Sequence, residues 1–118
     1  MQDNKGENLI IELTFNFALA IIKYVETLQK NHKFVIANQL LKSGTSIGAN
    51  VREAQNAESK ADFIHKFKIA AKEADETEYW LLLCRESEGN DVCNLLLADC
   101  ITIIKVLSKI ISTSKSNA

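Results

Sequence analysis

Proline is absent from the sequence, and glycine occurs only four times in 118 residues. A sheet protein of this length needs many tight turns, and glycine and proline are the residues that form them most readily. Their scarcity argues against a multi-stranded sheet and predicts a few long elements. The three cysteines are odd in number and form no Cys-x-x-Cys pair, so a zinc site is not expected. We predict that Cys84, Cys93 and Cys100 are buried free thiols in a reducing compartment.

Long apolar runs are missing as well. Uninterrupted runs such as residues 17–22 and 95–98 are far shorter than the roughly 20 residues that a membrane-spanning helix requires. Residues 1–8 are polar and carry no apolar secretion core. With 47% hydrophobic residues, 25% charged residues and a net charge of −1, the composition predicts a single domain over residues 1–118. We expect an ordered core at about residues 8–112, a cytoplasmic location and no membrane partner.

Apolar residues recur at steps of three and four in four segments, which is the spacing of one face of a helix. The first segment ends at the polar and basic run of residues 30–33, and a second helix is predicted over residues 34–57. Glycine inside a helix costs about 1 kcal/mol relative to alanine. Gly44 and Gly48 nevertheless keep the phase of the apolar stripe, so the helix is predicted to continue through them. The two stripes are Leu9, Leu13, Phe17, Ala20, Tyr24 and Leu28 (widened by Ile10, Ile21 and Val25), then Ile36, Leu40, Ile47, Val51 and Ala54.

The third helix is predicted to start at Ser59, because residues 59–62 fit a capping box in which the serine hydroxyl accepts a free backbone N–H. Gly89 is placed to end this helix with a left-handed cap, and Asn90 or Asp91 is placed to cap the fourth helix. The stripes of these helices are Phe63, Phe67, Ala70, Ala74, Thr77, Leu81 and Cys84, then Val92, Leu96, Cys100, Ile103, Leu107 and Ile110.

Four helices of about 22 residues joined by short loops predict an all-α, up-down-up-down antiparallel four-helix bundle. Residues 112–118 are polar and are predicted to fray. The fourth helix carries a second apolar stripe beside the first, and a helix at the corner of a four-helix monomer should bury only one. The excess predicts another buried face and therefore self-association of the chain. This second stripe consists of Leu97, Ile101, Ile104 and Ile111.

Three segments of the sequence, residues 41–54, 62–70 and 73–81, resemble the 23S rRNA intervening-sequence protein family. Its members are four-helix-bundle proteins encoded within bacterial 23S rRNA genes or elsewhere in bacterial genomes. The most specific element is Ser-Ile-x-x-Asn-x-x-Glu at residues 46–53, which is followed by the helix of residues 63–80. Taken with the segments around it, this element indicates membership in the family.

The resemblance extends over at least residues 9–111, with two departures from the family pattern. Lys42 stands where the family often has arginine, and Ala54 stands where it often has glycine. The resemblance implies a bundle that assembles into a ring, typically a pentamer, and it implies no particular activity. A related branch, the accessory proteins of diversity-generating retroelements, forms basic pentameric barrels that bind reverse transcriptase and nucleic acid.

Charge is distributed unevenly along the chain. Residues 30–72 carry a net charge of +5 and residues 73–88 a net charge of −5. In an antiparallel bundle, the turn between the second and third helices lies at one end, and four basic residues lie within about two helical turns of it. We predict that they form a partner surface, either for a head-to-tail subunit contact or for RNA or DNA. These residues are Arg52, Lys60, Lys66 and Lys68, and the acidic residues expected at the opposite end are Glu86, Glu88 and Asp91.

Polar residues form a second group on one face of the second helix. This group consists of Ser43, Ser46, Asn50 and Glu53, with Glu73, Glu76 and Glu78 available to face it from the third helix. One interpretation is a hydrogen-bonded seam between helices, which fixes their register. The other is a pocket for a ligand or a metal ion.

Catalytic motifs are not found in the sequence. A di-iron carboxylate bundle needs two Glu-x-x-His pairs, whereas the two histidines here are expected in a loop (His32) and at the surface or an interface (His65). Neither a nucleophile elbow nor a phosphate-binding glycine loop is present. Tyr79 and Trp80 point about 100° apart on a helix, so one is expected in the core and the other against a neighbouring helix or subunit. We predict no catalytic residue, metal or cofactor.

These observations together predict a non-enzymatic, self-assembling helical module that binds a macromolecule. Two alternatives remain open, a nucleic-acid-binding accessory protein like those of the retroelements and an enzyme of unknown chemistry. The residues expected to support the architecture are Ser46, Asn50, Glu53, Phe63, Phe67 and Trp80.

Overall fold

The computed structural model describes residues 5–88 and 91–117, with the side chains of residues 8–87 and 91–117. Within these ranges the chain forms four α-helices and no strand. The predicted all-α class and the four predicted helices are confirmed. The helices are α1 (Lys5–Lys30), α2 (Phe34–Ala54), α3 (Lys60–Glu88) and α4 (Asp91–Ser116).

Two helix ends differ from the prediction. After α2 ends at Ala54, the backbone N–H groups of residues 55–57 each bond to the carbonyl three residues earlier, so the chain tightens into a turn before residue 57. At the other end of the sequence, α4 continues to Ser116 instead of fraying from residue 112. The Ser116 hydroxyl donates to the Ser112 carbonyl at 3.0 Å. The predicted cap residues Gly89 and Asn90 lie outside the described residues.

The turn between α1 and α2 places His32 in the left-handed region, with φ of 61°. The Lys33 N–H donates to the Leu28 carbonyl and the His32 N–H donates to the Gln29 carbonyl, which is the hydrogen-bond pattern of a Schellman motif. Histidine is several-fold enriched among the non-glycine residues that adopt this conformation. The motif ends α1 without a glycine and confirms that His32 lies in a turn.

Ser59 caps α3 as predicted. Its hydroxyl accepts a hydrogen bond from the Asp62 N–H at 3.0 Å. The Asp62 carboxylate accepts in return from the N–H of Glu58, at 3.3 Å, and not from the N–H of Ser59. The reciprocal bond of the capping box is therefore displaced by one residue.

Each helix packs against two others, in the cyclic order α1, α2, α3, α4 and back to α1, and no diagonal pair makes an appreciable contact among the described residues. Consecutive helices run antiparallel. The end of α2 meets the start of α3 through Glu53 and Lys66, and the end of α1 meets the start of α4 through Tyr24 and Cys93. This packing is that of the predicted bundle, with principal extents of 48 × 21 × 18 Å.

The two glycines of α2 face α1. A Cβ on Gly44 would lie 2.9 Å from Ile21 Cγ2, and a Cβ on Gly48 would lie 3.3 Å from Thr14 Oγ1. A side chain at Gly44 would therefore overlap with a fully buried residue. The glycines occur inside a helix because α1 and α2 approach one another closely at this point.

The core confirms most residues of all four predicted stripes and differs at the first residue of the α1 and α4 stripes. Leu9 and Val92, predicted as core residues, are 47% and 48% exposed, whereas Ile10, which was predicted to widen the α1 stripe, and Cys93 are fully buried. At these two helix starts the adjacent residue enters the core instead. All three cysteines are buried and reduced, as predicted. Burial, with the charges of Glu78, Asp75 and Asp99 behind it, raises the pKa of the Cys100 thiol to about 12.

Exposed apolar side chains are distributed differently from the prediction. The sequence predicted an excess of exposed apolar residues on α4. In the structure α1 exposes more large apolar side chains, each with an exposed fraction of 41–55%. Residues 8–30 of α1 are long and apolar enough to cross a membrane by length and composition, although no single uninterrupted run is long. One third of that stretch is buried within the bundle, and core helices of soluble proteins pass the same criterion. The exposed residues of α1 are Leu9, Phe15, Leu19 and Ile22, and those of α4 are Val92, Leu95 and Ile101.

Candidate functional site

The polar group predicted on α2 divides into contacts across the α2–α3 interface and contacts within α2. Ser43 is fully buried, and its hydroxyl lies 2.9 Å from the hydroxyl of Thr77 on α3. At the end of α2, the Glu53 carboxylate pairs with the Lys66 ammonium at 2.9 Å. The hydrogen bond and the charge of Glu53 raise the pKa of Lys66. These two contacts link α2 to α3 at the middle and at one end of the interface.

The other two members of the group bond to their own helix. The Ser46 hydroxyl donates to the Lys42 carbonyl at 2.7 Å, and the Asn50 amide donates to the Ser46 carbonyl at 2.9 Å. Both side chains therefore satisfy backbone groups within α2 and do not reach a polar partner on α3. The residue types and their spacing could not distinguish this arrangement from a cross-helix pair.

The acidic residues predicted to face this group from α3 point in different directions. Glu73 is half-buried, and desolvation, followed by the charge of Glu76, raises its pKa against an opposing effect of Lys42. Glu76 instead accepts a hydrogen bond from the indole N–H of Trp80 at 3.0 Å. Glu78 lies close enough to α4 for its charge to act on Cys100. Only Glu73 is therefore directed toward α2.

The four basic residues predicted as one surface are separated by the bundle. Residues two apart on a helix point about 160° apart, so Lys66 faces α2 and Lys68 faces the opposite side. The charge of Lys68 acts on Lys115 at the end of α4 and lowers its pKa. Arg52 borders a cavity of about 140 Å³ between α1 and α2, and Lys60 is exposed at the start of α3. The predicted patch therefore divides among different faces at one end of the molecule.

The opposite end of the molecule carries an aromatic cluster that the sequence stripes did not predict. A cavity of about 470 Å³ opens beside the α1–α2 turn, bordered by Phe34, Val35 and Trp80. Tyr79 is 55% exposed, and its ring lies edge-on to Trp80 with 5.2 Å between ring centroids. Trp80 is partly buried and packs against the core, as predicted for one of the pair, whereas Tyr79 is exposed. Phe34 and Val35 are adjacent apolar residues, and one face of a helix cannot bury both. This pair was the feature of the sequence that could have indicated the exposed cluster.

An exposed apolar strip lies along the outer side of α1. We define the α1 face as Phe15, Leu19 and Ile22, which follow one another at steps of four and three and are all exposed. On the α4 side of α1, Val92 and Leu95 border a separate cavity of about 410 Å³ together with Ala20 and Tyr24. The α1–α4 interface beneath it is the least extensive of the four helix interfaces.

Metal-ligating residues do not gather among the residues that the structure describes: no group of three His, Cys, Asp or Glu side chains could hold an ion there. Asp62 is engaged in capping α3, and His65 is exposed. These two positions therefore provide no metal-ligand set.

Comparison with known proteins places the chain in a family. The family model of the 23S rRNA-intervening sequence protein matches residues 7–109. The chain belongs to this family, as the element at residues 46–53 indicated. The fold is similar to the crystal structure of a protein of unknown function from the S23 ribosomal protein family of Bacteroides thetaiotaomicron VPI-5482. The two are 43% identical with a TM-score of 0.87, over 91% of this chain and 98% of the other. No curated protein matches this chain.

Proposed function

We propose that the protein is a non-enzymatic helical module that assembles from several copies of itself and whose assembled surface binds another macromolecule. The observation that supports this function is the α1 face, where Phe15 and Leu19 are more than half exposed. Contiguous apolar surface of this kind marks interaction sites on soluble proteins. An isolated subunit would leave this surface in water, and assembly would remove it.

The proposed assembly is a ring located in the bacterial cytoplasm. A contact between two different surfaces of neighbouring subunits closes into a ring when the rotation between them permits. The proposed number of five subunits rests on the resemblance to the family. Charge pairing between basic and acidic segments would contribute to such a contact, because residues 30–72 and 73–88 carry opposite net charges.

The test is the mass of the purified protein at micromolar concentration, measured by light scattering coupled to size exclusion and by native mass spectrometry. We expect one defined species whose mass is a multiple of the 13.2 kDa subunit. Repeating the measurement from low to high salt separates charge pairing from apolar contact, because salt screens charges at the surface. A folded 13.2 kDa species at every concentration would refute the proposal.

A second candidate function is nucleic-acid binding in the manner of the retroelement accessory proteins. The observation that favours it is that Lys68 and Lys115 are both exposed at the same end of the bundle, where the charge of Lys68 lowers the pKa of Lys115 and both would attract a phosphate. The assay is fluorescence anisotropy with a labelled single-stranded RNA and a labelled duplex DNA. We expect affinity that falls steeply with salt and that weakens in the double variant Lys68→Gln, Lys115→Gln. The absence of binding at low salt would refute this candidate.

A further inference from the structure

We infer that the cavity beside the α1–α2 turn is a binding site for a small planar anion, a purine nucleoside monophosphate. The inference goes beyond the proposed function and does not depend on assembly of the subunits. It rests on the side chains that border the cavity, which combine aromatic rings, a positive charge and an amide. The cavity lies at the end of the bundle opposite Lys68 and Lys115, so the site is also distinct from the second candidate function.

The cavity has the size and the walls of a small-molecule site. Its volume of about 470 Å³ lies within the range of about 300–1,000 Å³ that is typical of such sites. Ile36 and Trp80 are partly buried and pack against the core, so they form its floor. Phe34 is 53% exposed and stands at the rim. A ligand in the cavity would therefore lie on a fixed apolar base beside an aromatic ring.

The two aromatic rings that border the cavity are held in place by their neighbours. The Trp80 indole N–H donates to the Glu76 carboxylate at 3.0 Å, which orients the indole. The Phe34 ring lies edge-on to the His32 imidazole, with 5.8 Å between ring centroids, and the Schellman turn holds His32 itself. Accessible aromatic rings are surfaces on which nucleobases stack. The rings therefore favour a ligand that is planar and aromatic.

The charge at the cavity favours an anion. Of the described residues that border it, Lys33 is charged and none is acidic. The Lys33 ammonium has three N–H donors, so it can donate to a phosphate oxygen in addition to a neighbouring group. Glu76 is not among the bordering residues, and its carboxylate already accepts a hydrogen bond from the Trp80 indole. A phosphate bound by the ammonium would form the strong, charge-assisted type of hydrogen bond.

Gln39 favours a purine base as the planar part of the ligand. Its side chain borders the cavity, and its amide offers both N–H donors and a carbonyl acceptor. Glutamine can pair with adenine by donating one hydrogen bond and accepting another. Adenosine monophosphate (AMP) would thus use the rings, the amide and the ammonium together. A free nucleotide is favoured over single-stranded RNA, because RNA-binding grooves follow the strand over several nucleotides, whereas this cavity has the volume of a small-molecule site.

Trp80 is the only tryptophan of the chain, so its fluorescence reports on the cavity directly. The full-length protein is titrated with AMP, with adenosine and with inorganic phosphate, under excitation at wavelengths that nucleotides do not absorb. Isothermal titration calorimetry measures the same affinities without an optical signal. We expect AMP to quench Trp80 and to bind at least about tenfold more tightly than adenosine or phosphate, because each of these probes lacks one part of the ligand.

Variants of two bordering residues locate the site, and circular dichroism checks the helix content of each. Phe34→Leu removes the ring and should weaken AMP binding about tenfold, whereas Phe34→Tyr keeps a ring and should stay within about threefold of the wild type. Lys33→Gln should weaken AMP binding about tenfold and leave adenosine binding unchanged. Its matched control is Lys30→Gln, because Lys30 is exposed on the last turn of α1 and does not border the cavity. That control should change the affinity by less than about twofold.

The absence of both heat and a fluorescence change with AMP at millimolar concentration would refute the inference. Binding of AMP that either Phe34→Leu or Lys33→Gln leaves unchanged would also refute it, as would adenosine that binds as tightly as AMP. Binding of an oligoadenylate strand without binding of AMP would refute the free nucleotide and identify nucleic acid as the occupant. None of these results depends on the mass of the assembled protein, which tests the proposed function separately.

Discussion

Gly44 offers the most direct test of how closely α1 and α2 must approach. The substitution Gly44→Ala adds one methyl group, which would lie 2.9 Å from Cγ2 and 3.0 Å from Cγ1 of Ile21. Ile21 is fully buried, and its branched Cβ leaves one strongly preferred rotamer in a helix. The neighbour therefore cannot rotate away, and relief requires movement of the backbone.

Two effects of opposite sign determine the magnitude. Alanine is better than glycine in a helix interior by about 1 kcal/mol, and overpacking a well-filled core costs about 1–3 kcal/mol. We expect a net loss of about 1 kcal/mol in the free energy of unfolding, with a fall of about 4 °C in Tm for a chain of this size. Gly48→Ala is the matched control, because its added Cβ would meet Thr14 at 3.3–3.4 Å. That change should stay within about 0.5 kcal/mol of the wild type.

The assay is urea unfolding followed by circular dichroism at one fixed protein concentration, since assembly adds concentration-dependent stability. A double-mutant cycle with Ile21→Ala isolates the contact. The smaller side chain removes the overlap, so the double variant should be more stable than the sum of the single effects by about 1–2 kcal/mol. If Gly44→Ala stabilises the protein, or if the cycle shows no coupling, close helix approach is not the reason for the glycine.

Two further predictions concern polar groups between α2 and α3. Replacing either member of the buried hydroxyl pair, by Ser43→Ala or Thr77→Val, should lower the free energy of unfolding by about 1–3 kcal/mol because one hydroxyl is left without its neighbour. The double variant should lose less than the sum, and an additive result would show that the pair is not coupled. Glu73→Gln should stabilise the protein at neutral pH, because desolvation raises the folded-state pKa of Glu73 above its ordinary value of 4.5 and disfavours the charged form in the folded chain. This advantage should appear as pH rises through 4.5 and disappear below it, and a pH-independent difference in Tm would contradict the assignment.

The sequence predicted the number and order of the helices because their signals are independent of one another. Each signal restricts a different part of the chain. These signals are the turn after residue 30, the cap at Ser59 and the phase of apolar residues across Gly44. What the sequence could not predict was which of two adjacent residues enters the core. In α1 the buried position between Ile10 and Phe17 is Thr14, whose hydroxyl bonds to the Ile10 carbonyl at 2.7 Å. A polar residue type therefore concealed the true stripe.

The candidate surfaces depended on information that a linear sequence does not contain. Lys66 and Lys68 are close in sequence, but the helical repeat directs them to different neighbours, Glu53 on α2 and Lys115 on α4. The apolar excess on α4 was visible as a second stripe, yet part of it is covered by packing within the bundle, since Leu97 is only 5% exposed. The corresponding excess on α1 became apparent only when the positions of its neighbours were known.

The unequal helix interfaces have a consequence for motion within the folded protein. α1 and α2 approach one another closely at Gly44 and Gly48, whereas the α1–α4 interface is the least extensive of the four helix interfaces. Opening fluctuations concentrate where the fewest buried contacts must be broken. The molecule should therefore open along its α1–α4 side, with α1 and α2 moving together as a rigid pair. Amide hydrogens of buried residues that line this opening, such as Leu96 and Ile103, would then report how firmly an assembled neighbour closes it.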